Sequence, residues 1–300
     1  MLAVAPALAQ DGDNERLRAL TKATPPLPVE RIDLKVTPPL TLEGISAVAG
    51  DDKGNIYVIH RPAATGDPIV VVDRKGTFVR SWGKGLFKTP HGIRVDPAGN
   101  VWTIDAGSSV VYKFTPQGQK LLEISVGDIP DPSRPFCGAT DVAFAKNGHV
   151  YVSDGYCNGR VLEYEAGGKK VREWGKRGTG PGEFNVAHGI AISPQGNVYV
   201  ADRGNGRLQW FDPQGKYLGE FKYGGELYNV TFNQAGELFV STHVKGESLD
   251  LEFNIVKIDP ATGKMLGKYA IRSHQLSAAP DGALLPGTRS GDLAVFRPRT

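Results

Sequence analysis

Histidine is scarce in this chain, with six in 300 residues, yet three of them share one position in a repeated pattern. The pattern is an apolar run, a turn that ends in glycine, and then an alternating strand. Its turn glycines are Gly54, Gly99, Gly148, Gly196, Gly236 and Gly282. Eight residues before each lie Ser46, His91, Thr140, His188, Tyr228 and His274. Histidine therefore occupies every second copy. Chance would produce such an alternation on the order of once in a thousand sequences of this composition. If the copies are arranged in a closed ring, the three imidazoles lie about 120° apart and point at the axis. Three imidazoles around one point, with a fourth position left for water or substrate, is the donor set of a catalytic zinc ion. His91, His188 and His274 are therefore the expected metal ligands.

The same count locates further chemistry. Six residues after the turn glycines come His60, Asp105, Asp154, Asp202, Thr242 and Thr288. The repeated aspartates read as structural, accepting backbone hydrogen bonds where a strand ends. One position on are Arg61, Ala106, Gly155, Arg203, His243 and Arg289, where the lining of an axial channel would open. Arg61 and Arg203 are candidates to hold an anionic group. In the third copy, Ser153-Asp-Gly-Tyr-Cys-Asn-Gly-Arg160 places Tyr156 and Cys157 at that rim. A tyrosine normally ionises near pH ~10, but a neighbouring cation and a metal favour the phenolate, which makes Tyr156 a candidate base. A bond from Cys157 to Cys137 would pin the turn that carries it. His149 is expected in a solvent-exposed turn, and His60 and His243 near strand ends.

What must position these residues is legible from the spacing. Successive turn glycines are 45, 49, 48, 40 and 46 residues apart. Each copy continues into one or two more short strands, most plainly Val101–Asp105, Val110–Thr115 and Lys120–Val126 after Gly92–Asp96. A period of 40–50 residues with four short strands specifies propeller blades. The expectation is an all-β, six-bladed β-propeller over residues 29–300. The last copy has three strands, and Arg31–Thr37 alternates without a blade of its own. It should complete the sixth blade and close the ring, leaving no open edge.

Composition agrees with this. Hydrophobic residues make up 40% and charged residues 22%, enough for a packed core, and the 38 glycines and 21 prolines suit frequent turns. A net charge of +3 gives no case for nucleic acid. The cluster Lys169-Lys-Val-Arg172 with Lys176-Arg177 alternates as a solvated face. No apolar run is long enough to span a bilayer. Met1–Gln10 ends in Ala-Leu-Ala before Gln10, as a secretory signal peptide does, so residues 1–28 are expected to be a signal-peptide remnant and tether. Cys137 and Cys157, if paired, fit an exported, periplasmic or secreted protein. A monomer is expected.

Two stretches resemble NHL-repeat propellers: Ser81-Trp-Gly-Lys-Gly with Pro90-His-Gly-Ile-Arg-Val-Asp, and Glu173-Trp-Gly-Lys-Arg-Gly-Thr-Gly-Pro-Gly-Glu-Phe with Ala187-His-Gly-Ile-Ala-Ile-Ser. Trp82 and Trp174 are expected to pack between blades. Three further stretches narrow the resemblance: Phe136-Cys with Thr140-Asp-Val-Ala, Val152-Ser-Asp-Gly-Tyr-Cys-Asn, and Val200-Ala-Asp-Arg-Gly-Asn-Gly-Arg. From about Gly44 to Asp281 the chain resembles the peptidyl-α-hydroxyglycine α-amidating lyases, which cleave a carbinolamide to a peptide amide and glyoxylate. The resemblance implies zinc on His91, His188 and His274, Tyr156 as base, Arg61 and Arg203 as substrate-binding arginines, and a Cys137–Cys157 disulfide. It also implies a substrate, small molecule or peptide, that bears a carboxylate.

The chain departs from that pattern at its last histidine. The family's Met-Pro-His-Asp is here Arg272-Ser-His-Gln275. That aspartate helps to hold a structural calcium, together with backbone carbonyls that fall at Val48 and Ile93, so calcium is doubtful here. Arg272 changes the wall beside the substrate. Two rival functions remain open on sequence alone: a metal-dependent propeller hydrolase or lactonase, and a non-catalytic NHL scaffold that binds a partner.

Overall fold

A computed structural model of the chain describes residues 7–38, 40–62, 66–131, 133–244 and 252–299. It is a six-bladed β-propeller of six four-stranded antiparallel sheets. Blade one is β2 (Ala47–Gly50), β3 (Ile56–Ile59), β4 (Ile69–Val72) and β5 (Phe78–Trp82). Blade two runs from β6 (Pro90–Val95) through β7 (Val101–Asp105) and β8 (Val110–Phe114) to β9 (Lys120–Ser125). Blade three begins at β10 (Asp141–Phe144) and β11 (Val150–Asp154), blade four at β14 (Ala187–Ile192) and β15 (Val198–Asp202), and blade five at β18 (Glu226–Phe232) and β19 (Leu238–Val244).

Blade six is β22 (Leu276–Ala278), β23 (Leu284–Pro286), β24 (Leu293–Pro298) and, as its outermost strand, β1 (Val29–Leu34). β1 pairs antiparallel with β24 from Val29↔Pro298 to Leu34↔Leu293. The closing strand is thus where it was expected, but begins and ends earlier than Arg31–Thr37. Thr37 instead makes an isolated bridge to Thr77.

The turn glycines set the register of every blade. All six adopt a left-handed φ, between 78° and 92°, a region open to glycine and costly for other residues. In each of the first two copies the glycine N–H donates to the carbonyl three residues earlier, Gly54 to Asp51 and Gly99 to Asp96. Inner strands such as Val150–Asp154 are buried at every residue, whereas outer strands such as Lys120–Ser125 are exposed along most of their length. A blade is therefore buried on both faces near the axis, and its apolar side chains meet those of the next blade. The described residues form six apolar clusters, one at each blade interface. Trp82 packs edge-on against Tyr57 of its own blade and Phe114 of the next, and Trp174 likewise meets Tyr151 of its own blade edge-on and Phe211 of the next at a tilt.

Part of the expected leader and tether is ordered against the propeller. Ala7–Ala23 forms helix α1, whose Leu17 is fully buried in the cluster between blades four and five. The chain then runs along blade five, where Leu27 N–H donates to the Lys268 carbonyl at 2.6 Å. Residues 1–6, which carry most of the signal-peptide reading, lie outside the described residues. No described helix is long and apolar enough to cross a membrane.

Candidate functional site

The three histidines converge. Each lies at or next to the start of an inner strand, His91 in β6, His188 in β14 and His274 two residues before β22. One ring nitrogen of each falls within 4.8 Å of the others. All three are buried. Their orientation follows from ring symmetry: each Nδ1 faces the backbone carbonyl at the same position in the following blade. His91 Nδ1 is 2.7 Å from Thr140 O, His188 Nδ1 is 2.7 Å from Tyr228 O, and His274 Nδ1 is 3.4 Å from Ser46 O. The six residues of the register thus alternate between imidazole and carbonyl around the axis. A carbonyl can only accept, so Nδ1 carries the proton and Nε2 presents its lone pair inward, as a metal ligand must.

Burial, with the neighbouring cationic groups, keeps these rings neutral. It lowers His188 to about 3, with the Arg203 charge assisting. His91 and His274 are pushed well below the ordinary range, by burial first and then by the other imidazoles. Three neutral, inward-facing nitrogens with fixed tautomers fit a zinc ion.

Tyr156 closes the trio on one side. Its hydroxyl is 2.7 Å from His91 Nε2 and 3.0 Å from His188 Nε2. The turn that carries it is tightly determined. Gly155 backs directly onto blade four, where a Cβ would come within 2.0 Å of the Ala187 carbonyl oxygen. Asp154, buried at the end of β11, accepts from Asn158 Nδ2 at 2.8 Å and Arg160 Nε at 2.9 Å. Cys157 is bonded to Cys137, and the Phe136 ring lies 5.6 Å from that of Tyr156. Burial raises the pKa of Tyr156, and the charges of Arg203, Arg61 and Arg289 pull it back.

Above the trio opens a cavity of about 490 Å³ whose lining includes Arg61, Tyr156, Arg203, Tyr228, His274 and Arg289. Arg61 is anchored by Nε to the Pro90 carbonyl at 3.1 Å, while its Nη2 is buried without a partner. Burial and the Arg289 charge lower its pKa to about 10. Arg203 lies over the Tyr228 ring and pairs with Glu226 at 3.3 Å. Glu226 also takes His243 Nδ1 at 3.1 Å. Burial works against the ionised carboxylate, but His243 and Arg203 hold it down to about 2.

Sequence reasoning brought together Tyr156, Arg61, Arg203 and the three histidines, and the structure gathers all six at one site. It passed over Glu226 and Arg289. Arg289 stood in the same register as Arg61 and Arg203, so the signal was present. Glu226 had none, because its place in β18 is outside the repeat positions that were compared. The repeated aspartates hold loops as expected: Asp105 accepts from the backbone N–H groups of Lys88 and Thr89, and Asp202 from that of Asn185. His60 joins Glu43 N–H to the Asp67 carbonyl and is not among the converging imidazoles. His149 is not free in solvent: it sits 2.6 Å from the buried Glu163.

The axis behind the histidines is occupied by protein. Arg94 of β6 reaches across the channel, binding Asp141 through Nε at 3.0 Å and Nη2 at 2.6 Å, and the Leu276 carbonyl through Nη1 at 2.8 Å. Gln275 accepts from Asn229 and donates to the Thr140 carbonyl at 3.2 Å. The Val48 carbonyl, one expected calcium ligand, takes the Ser277 hydroxyl at 2.5 Å. A neutral amide, a satisfied carbonyl and a resident guanidinium that already neutralises the Asp141 carboxylate do not fit calcium, which is held by several oxygen donors with carboxylates among them.

The NHL repeat family model matches residues 136–164 and 184–211. A Caenorhabditis elegans protein named "Probable peptidyl-alpha-hydroxyglycine alpha-amidating lyase pgal-1" is 30% identical over 275 residues, covering 80% of this chain and 78% of that protein. The chain belongs to the peptidyl-α-hydroxyglycine α-amidating lyase family. Mus musculus peptidyl-glycine alpha-amidating monooxygenase is 34% identical over 218 residues, which is 62% of this chain but only 22% of that longer protein. Among solved structures, one titled "Streptogramin B lyase structure" superposes with a TM-score of 0.64 at 12% identity, covering 90% of this chain and 98% of its own. That likeness concerns the fold alone.

Proposed function

We propose that this chain is a zinc-dependent lyase that cleaves an α-hydroxyglycine-type carbinolamide into an amide and glyoxylate. The observation that carries the reading is the Tyr156 hydroxyl, which touches two of three converging imidazole nitrogens beneath a cavity lined with arginine. Lyase-named relatives support the reaction class.

His91, His188 and His274 would hold the zinc, which supplies Lewis acidity toward an oxygen of the substrate. Arg61 holds the substrate carboxylate through the guanidinium nitrogen that has no protein partner. Tyr156, with three guanidinium groups around it, takes the proton of the substrate hydroxyl. As that oxygen forms the carbonyl of glyoxylate, the C–N bond breaks, and its electron pair stays on nitrogen. Nitrogen takes up a proton and leaves as the amide, so the reaction needs no oxidant and consumes no water. Arg203, paired to Glu226, is restrained over Tyr228 and helps to favour the phenolate.

The disulfide is the basis for placing the protein in an oxidising compartment, outside the cytosol. The test of function is glyoxylate release from an N-acyl-α-hydroxyglycine, before and after chelation, alongside elemental analysis. Zinc near one per chain with chelator-sensitive glyoxylate supports the reading. Zinc without glyoxylate, together with turnover of a lactone panel, would transfer the site to a hydrolase.

A further inference from the structure

Arg61, Arg203 and Arg289 occupy the same position in blades one, four and six, and all three line the cavity over the histidines. They are not equivalent. Arg203 has its own counter-ion, since Glu226 lies 3.3 Å away and is itself fixed by His243. Its face is covered by the Tyr228 ring, 4.3 Å from the guanidinium carbon. A guanidinium so placed has its counter-ion already and is turned to the Tyr228 ring rather than to a ligand.

Arg289 is in the opposite condition. Among the described residues its half-buried guanidinium has no hydrogen-bond or ion-pair partner. Its backbone adopts φ 63°, a left-handed conformation that arginine rarely takes and that costs on the order of 1 kcal/mol. Strain of this kind persists where the surrounding structure has a use for the side chain so aimed. Arg61 completes the picture with its buried, unpartnered Nη2. Burial, and then the charge of Arg289, lower the affinity of Arg61 for a proton, as a second cation does when it shares a space with no anion between them. Glu226 is the one carboxylate among the lining residues, and it is already engaged.

We propose that Arg289, with Arg61, forms the clamp that binds the substrate carboxylate, and that Arg203 is not an arm of it. The inference rests on the lyase reading for the identity of the ligand, but the clamp itself selects for a carboxylate. A carboxylate set between Arg61 and Arg289 meets donors from both and separates their charges. Its neighbour on the substrate, the carbinol carbon, is then delivered toward Tyr156 from the blade-six side of the cavity, next to His274. Arg272, exposed at the rim and stacked over Phe253, adds positive potential on that same side.

The test reads binding, so it does not depend on turnover. N-acetylglycine carries the carboxylate and the amide but no hydroxyl to react, and N-acetylglycinamide is its neutral counterpart. Calorimetric titration of the metal-loaded wild-type protein should show the acid binding at least 10-fold more tightly than the amide. Arg289→Gln should weaken binding of the acid by about 10- to 100-fold, the range expected on loss of a charge-assisted hydrogen bond. Arg289→Gly should do the same while leaving the thermal midpoint unchanged or higher, because glycine accepts the left-handed backbone. Arg203→Gln should weaken the acid by less than threefold. Wild-type affinity for the acid in both Arg289 variants, or a loss confined to Arg203→Gln, would overturn the proposal. If the acid binds as described and no carbinolamide yields glyoxylate, the clamp stands and the lyase reading fails.

Discussion

The hydroxyl of Tyr156 lies 2.7 Å from Nε2 of His91. That contact joins a side chain from the end of blade three's second strand to one from the first strand of blade two, and it puts the candidate base against the candidate metal ligands. Tyr156→Phe removes the hydroxyl and keeps the ring packed on Phe136. Zinc content should stay near wild type, while kcat falls by ~10²- to 10⁴-fold, the usual worth of a positioned proton-transfer group. Near-normal turnover would remove Tyr156 from the reaction.

Loss of one imidazole should empty the site. His188→Ala leaves two nitrogens and an unpaired Tyr228 carbonyl, and elemental analysis should find well under half an equivalent of zinc. Metal retained at full stoichiometry would mean that the ion is bound elsewhere.

Glu226 should make stability depend on acid. Its folded pKa, about 2, lies below its ordinary value of 4.5, so the folded state favours the ionised form. The contribution is present above about pH 4.5 and is lost as pH falls towards 2, on the order of 2–3 kcal/mol in all. Urea midpoints measured from pH 5 to pH 2 should fall more steeply for wild type than for Glu226→Gln. Parallel slopes would refute the pairing with Arg203 and His243.

The axial network predicts indifference to calcium. Adding calcium, or chelating it selectively, should leave the melting temperature unchanged. Arg94→Met should destabilise the protein by about 3–5 kcal/mol, because it leaves the buried Asp141 carboxylate without its partner. A calcium-dependent rise in melting temperature of the wild type would show that the channel admits the ion after all.

Reducing the Cys137–Cys157 bond releases the turn that carries Tyr156. For a loop of this length the loss is about 3 kcal/mol. Thermal melts with and without reductant measure that cost, and kcat should fall more than zinc content, since the histidines stand on strands that the disulfide does not touch.

The histidine ring was legible because a strand-to-turn spacing repeats wherever a glycine must take a left-handed φ, which puts His91, His188 and His274 in one register of the sequence. The blade count and the closing strand came from the same source. What escaped depends on contacts between distant positions. Arg94 reads as a polar residue in a strand, and nothing local says that it crosses the axis to Asp141 of the next blade. Glu226 and Arg203 are separated by a whole outer pair of strands, so their ion pair, and with it the special status of Arg289, is a product of packing. Helix α1 escaped for another reason. An apolar start that ends in Ala-Leu-Ala is read as an address, and the polar residues that follow carry only a weak amphipathic stripe, in which Leu17 is the anchor.

The pairing of β1 with β24 has a consequence for assembly. His274 is oriented by the carbonyl of Ser46, so its alignment needs blade six, from the end of the chain, packed against blade one, from its start, and the β1–β24 pairing completes that blade. A ribosome-bound or truncated chain lacking the last strand can stack several blades, yet it offers zinc at most an incomplete, wrongly tilted set of nitrogens. If the site holds a metal, capture would report completion: contacts of such long sequence separation are slow to form, and the full set of nitrogens would be available only once the ring is closed. The enzyme would stay inert until the circle is closed.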